Sequence, residues 1–147
     1  MDLETFHKDV IEAVRSKAES SRDFIRTAFV EDCGDRLIEA EELLSFEVCR
    51  FEGVNGKRKK LRIDGYAFDE ADNSMALLIA DFFNEDEVTS FVTSDVKAAI
   101  GDLRAFLEEA LGGNLTDGSV DESQPGHGLA CDLMDWHSKI TKYRFYF

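Results

Sequence analysis

Two alternating runs joined by a glycine turn restrict what this chain can fold into more than any other feature. Alternation begins at Phe46 and lasts to about Phe51, Gly53-Val54-Asn55-Gly56 supplies a turn, and alternation resumes from Lys59 to Tyr66. A period of two on both sides of a turn is a hairpin signal. In the second run Leu61 and Ile63 share one face, while Lys60, Arg62, Asp64 and Tyr66 share the other. A polar turn, Asp69 to Asn73, then leads into Ser74-Met75-Ala76-Leu77-Leu78-Ile79-Ala80-Asp81-Phe82-Phe83. That run is apolar on both faces, as the middle of a covered sheet requires. Its alternation sets Asp81 and Phe83 on one side.

The covering layers are helical. Leu3, Phe6, Val10 and Val14 predict a first helix from about Leu3 to Ala18. Ser20-Ser21 breaks it, and a second helix starts near Arg22. Ile25, Phe29, Cys33 and Leu37 form its stripe, flanked by Phe24 and Ala28, and Glu31 lies on the side of those two. Asn84 to Glu87 is an acidic exit from the strand. Thr93, Ser94 or Asp95 caps a third helix with Val96, Ile100, Leu103 and Phe106-Leu107 buried, and Gly112-Gly113 ends it. Gly112 to Gly128 reads as a mobile loop. A short helix through Leu129, Leu133, Trp136 and Ile140 precedes the aromatic strand Lys142 to Phe147. The expected fold is α/β, a mixed sheet flanked by helices, with a right-handed crossover into the last strand. Residues 1–147 read as a single domain, and a chain ending inside an apolar strand is expected to be the N-terminal part of a longer polypeptide.

Composition narrows the function. Forty-four per cent hydrophobic residues and twelve phenylalanines supply a core and argue against disorder. No apolar run reaches membrane-spanning length, and the N-terminus lacks the features of a signal peptide. Three widely spaced cysteines and three scattered histidines predict reduced thiols, a cytoplasmic setting and no zinc site. Seventeen basic against 31 acidic residues give a net charge of −14, which repels a polyanion at long range. The exception is local: five of the six residues from Lys57 to Arg62 are basic, so Lys57, Arg58, Lys59, Lys60 and Arg62 are the candidate nucleic-acid contacts.

Gly53-Val54-Asn55-Gly56-Lys57 is too short for a P-loop, and Asp69 to Ser74 lacks the spacing of an EF-hand. What survives is Asp64 on one strand and Asp81 on the next, with Glu31 on a preceding helix. Converging carboxylates make a hard-oxygen site suited to Mg²⁺, with Mn²⁺ as a substitute, and such an ion activates water against a phosphodiester. Asp64 and Asp81 are therefore the candidate metal ligands, and Glu31 the third candidate catalytic acid.

This arrangement resembles the PD-(D/E)XK nuclease superfamily, with its restriction-endonuclease-like α-β-β-β-α-β core. More narrowly, Ile63-Asp64-Gly65-Tyr66-Ala67-Phe68-Asp69-Glu70, Leu77-Leu78-Ile79-Ala80-Asp81-Phe82, Ala28-Phe29-Val30-Glu31 and the closing Ile140 to Phe147 resemble the N-terminal domain of bacterial abortive phage infection proteins of the AIPR type. The resemblance covers roughly Phe24 to Phe147, in patches. It implies that Asp64 is the first metal-binding aspartate, Asp81 the second acid and Glu31 an auxiliary acid. Phe83 stands where that pattern has its lysine, and a phenylalanine cannot stabilise an anion. Arg62, Lys97 and Arg104 are the candidate substitutes. Three functions follow: a Mg²⁺-dependent nuclease of a phage-defence protein, a catalytically inactive binding module on the same fold, or an acidic mimic of nucleic acid. The expected partners are nucleic acid, the C-terminal remainder of the polypeptide, and a second copy of the chain in a homodimer.

Overall fold

A computed structural model describes residues 2–17, 25–83 and 87–147. The expected end of the first helix at Ala18, the Ser20-Ser21 break, the helix start at Arg22, Phe24 and most of the acidic exit lie outside the described residues. The elements run α1 (Leu3–Lys17), α2 (Ile25–Glu39), β1 (Glu47–Val54), β2 (Lys60–Asp69), β3 (Ser74–Leu78), α3 (Thr93–Leu111), α4 (Pro125–Trp136) and β4 (Lys142–Tyr146). The sheet order is β1-β2-β3-β4, antiparallel except for the parallel β3–β4 pair, in which Ser74 faces Lys142 and Leu78 faces Tyr146. A parallel neighbour requires a crossover, and α3 and α4 provide it. The expected α/β mixed sheet is the fold observed. No described helix is long and apolar enough to cross a membrane.

The main core lies between one face of the sheet and the α3–α4 pair. Leu61, Ile63, Met75, Leu77 and Ile79 meet Leu103, Phe106 and Leu107 of α3 and Leu129, Ala130 and Leu133 of α4. Phe106, Leu103 and Leu133 are wholly buried, each burial favouring the fold by about 1.5–3 kcal/mol. A smaller cluster on the other face joins Leu43, Ala67 and Ala76 to Leu37, Phe46 and Tyr146. There α2 packs against the sheet and α1 against α2.

Several boundaries differ from the sequence reading. The hairpin turn falls at Asn55 to Lys59, because the Asn55 side chain accepts hydrogen bonds from the backbone N–H of Lys57 and of Lys59, both at 2.9 Å. Gly53 and Val54 consequently stay in β1. β3 ends at Leu78 rather than Phe83. α4 starts at Pro125, a residue suited to a first helical turn, so the last four residues of the expected 112–128 loop are helical. The rest of that segment is tied to the main core by buried Leu115 and by Val120. In α1 Ile11 and Val14 are buried, whereas Leu3 and Phe6 are exposed.

Candidate functional site: an arginine between two strand-end acids

An irregularity in the sheet creates the site. Pairing between β1 and β2 shifts register between Val48 and Phe51. Leu61 and Ile63 face the main core before the shift, and Tyr66 and Phe68 pack against the same core after it. The expected grouping of Tyr66 with Lys60, Arg62 and Asp64 therefore fails, because a slip in alternation reverses every later side chain. Consecutive residues Asp64 and Gly65 both turn toward α2. Asp64 lines a small cavity with Phe29 and Val30, and Gly65 abuts the ring of Phe46.

Asp64 is only 2% exposed. Its Oδ2 accepts hydrogen bonds from the Ala80 backbone N–H at 2.9 Å and from Arg62 Nη2 at 3.0 Å, and Arg50 Nε stands 3.5 Å from Oδ1. Asp81, just beyond the end of β3, accepts from Arg62 Nη1 at 2.6 Å. Arg62 also donates to the Ala80 carbonyl, and Glu52 stands 3.8 Å from its Nε. The sequence thus places Asp64 and Asp81 together correctly, but the atoms between them belong to Arg62. Burial works against the charge on Arg62; the hydrogen bond to Asp81 and the fields of Asp64, Asp81 and Glu52 outweigh it and hold its pKa above the ordinary value. Burial, with the Asp64 charge added, pushes the nearby Cys49 thiol up to about 12.

Other candidates fall outside this cluster. α2 lies between α1 and the sheet, so its fully buried residues are Ala28, Val30, Asp32 and Gly34. Glu31 is exposed, contrary to its expected place beside Ala28, and does not line the cavity at Asp64. The basic run divides: Lys57, Arg58 and Lys60 are exposed, Lys59 pairs with Asp102 at 3.2 Å, and Arg62 turns inward. The groove beside the hairpin tip is lined by Glu52, Glu108, Glu109, Asp117 and Asp121 as well as by Lys57 and Lys59. Phe83 is exposed and lies 5.5 Å from Phe91, while Phe82 stacks on Phe29 at 4.7 Å. Lys97 is exposed on α3, and the Arg104 guanidinium lies 6.0 Å from the Phe145 ring centre. Two arginines escaped the sequence reading altogether. Arg26 and Arg50 line the same cavity as Asp64 and Asp81, and only the pairing of β1 with β2 and the seat of α2 bring them there.

The donor set does not fit a magnesium ion as arranged. Among the described residues no group of three or more His, Cys, Asp and Glu side chains converges on one point. A hard dication wants several oxygens with no competing cation. Here one oxygen of each acid is already hydrogen-bonded to a guanidinium.

The profile of the family described as abortive infection phage resistance protein N-terminal domain matches residues 29–147. No curated protein and no solved structure matches the chain. The matched span includes the whole sheet, both helices of the crossover and the Asp64–Arg62–Asp81 cluster, and the chain belongs to the abortive infection phage resistance N-terminal domain family.

Proposed function

We propose that this domain is a catalytically inactive binding module of a phage-resistance protein, in which Asp64 and Asp81 serve the fold and not phosphodiester hydrolysis. The observation that carries this reading is the Arg62 guanidinium hydrogen-bonded to both acids, at 3.0 and 2.6 Å. Charge-assisted bonds of this length are the strong kind. An incoming Mg²⁺ must break them and take both nearby carboxylates from a largely buried guanidinium, a cost of several kcal/mol. Phe83 adds to the case, since it offers no group to steady a developing anion. Partner contact falls to the exposed Lys57, Arg58 and Lys60 at the hairpin tip.

The nuclease reading keeps one observation in its favour. Asp64 and Asp81 are close enough to share a single guanidinium, so withdrawal of Arg62 leaves two converging carboxylates on the PD-(D/E)XK pattern. Incubation with single- and double-stranded DNA and RNA, in Mg²⁺ and in Mn²⁺, separates the two. The expected result is no cleavage. Metal-dependent cleavage that disappears in Asp81→Ala overturns the proposal.

A further inference from the structure

We infer that the cavity between α2 and the β1–β2 pair is a phosphate-binding site held by Arg26 and Arg50. This rests on the reading of Asp64 and Asp81 as acids paired with Arg62 and not as ligands of a metal ion.

Three features converge there. The first is charge. Among the described residues, the ionisable groups lining the cavity are Arg26, Arg50, Arg62, Asp64 and Asp81, three cations against two anions. Glu52 stands near Arg62 Nε but does not line the cavity. In a protein of net charge −14 a local cationic excess is against the background, and low-dielectric walls focus its field.

The second is unspent hydrogen-bonding capacity. Arg50 Nε and Arg62 Nε are buried N–H donors without a hydrogen-bond partner among the described residues. Arg62 spends both of its terminal nitrogens on Asp81, Asp64 and Ala80. Arg50 meets Asp64 only through Nε, at 3.5 Å, and its side chain is 29% exposed. Arg26 is exposed in the first turn of α2 and takes part in no ion pair or hydrogen bond among the described residues. An unpaired guanidinium beside one held only by a long ion pair offers a fork of donors suited to a tetrahedral oxyanion.

The third is size and wall chemistry. The cavity measures about 80 Å³. It has room for a few waters or one small oxyanion. It is far too small for a folded partner or a duplex. Phe29, Phe82 and Phe83 supply apolar walls, and Phe83 is also exposed at the rim. An exposed ring beside a phosphate site is placed to stack a base, so the phosphate belongs either to the free ion or to a mononucleotide.

Isothermal titration of the full chain tests the site, with sodium phosphate compared with sodium chloride at matched ionic strength. Saturable binding of phosphate alone is expected, about tenfold or more weaker in Arg26→Gln and unchanged in Lys97→Gln, which alters an exposed lysine on α3. Arg26 is exposed, so its substitution leaves the fold intact, which far-ultraviolet circular dichroism checks. Tighter binding of adenosine monophosphate than of phosphate assigns the site to a nucleotide; equal binding assigns it to the free oxyanion, and both outcomes uphold it. No saturable binding, equal binding of chloride, or undiminished binding in Arg26→Gln overturns it. Metal-dependent cleavage on the same samples overturns the inactive-module proposal instead, so the two failures are distinguishable.

Discussion

Arg62 is where the consequences of single side chains are sharpest. Its guanidinium is the cation that both Asp64 and Asp81 see, and the Asp64 side chain is 3% exposed. Removing the cation leaves the buried Asp64 carboxylate with the Ala80 N–H and the more distant Arg50 alone. We expect Arg62→Met to destabilise the domain by about 3–5 kcal/mol, read by urea unfolding, whereas Lys60→Met one strand position pair away changes stability by under about 0.5 kcal/mol. Cys49 offers a pH test with a defined sign. Its folded pKa of about 12 exceeds the ordinary thiol value of 9.0, so above pH 9 the unfolded chain gives up a proton that the folded chain keeps. Stability then falls as pH rises from about 9 to about 12, by up to about 1.4 kcal/mol per pH unit. Comparison with Cys49→Ala should isolate that slope; parallel curves for the two proteins would refute the assignment. Asp64 and Asp81 were legible in the sequence because strand phase alone made them neighbours. The part played by Arg62 was not, since alternation gives the face of a residue but not where a long side chain spends its charge. Arg26 and Arg50 were invisible for a different reason: they converge from a helix and a strand far apart in the chain.

Among the elements, the join between α2 and the sheet has the narrowest tolerance. A Cβ on Gly34 would lie 2.1 Å from the Phe46 ring, and a Cβ on Gly65 would meet the same ring at 2.1 Å. The two glycines form a slot, and Phe46 anchors the smaller hydrophobic cluster through it. Gly65→Ala should cost about 1–3 kcal/mol in urea unfolding, and Gly65→Ala combined with Phe46→Leu should cost less than the sum of the two single changes. Gly56, with nothing within 4 Å of its would-be Cβ, is the matched control and should tolerate alanine. Element order and the hairpin could be read from the periodicities, as could the apolar faces of α3 and α4. The slip at Asp64 and Gly65 could not, because a bulge leaves no signature in a two-residue period beyond a single ambiguous position. Glu31 was misplaced for a related reason. An amphipathic pattern assumes one buried side, and α2 is packed by α1 as well as by the sheet.

At the scale of the whole molecule, the net charge of −14 and the internal neutralisation of Asp64 and Asp81 lead to the same functional reading. The long-range field opposes a polyanionic substrate, the hairpin's basic run has Arg62 turned inward and Lys59 paired with Asp102, and the acids that resemble a metal site already hold a cation. Membership of the phage-resistance family sets the context, while chemistry at the cluster decides whether the domain cuts or binds. Paramagnetic broadening by Mn²⁺ in amide-resolved NMR reports on that chemistry directly. We expect the amides of Asp64, Ala80 and Asp81 to lose no more intensity than those of exposed acidic residues at the same Mn²⁺ concentration. Selective loss at those three amides, abolished in Asp81→Asn, would show that a metal displaces Arg62 and would contradict the inactive assignment.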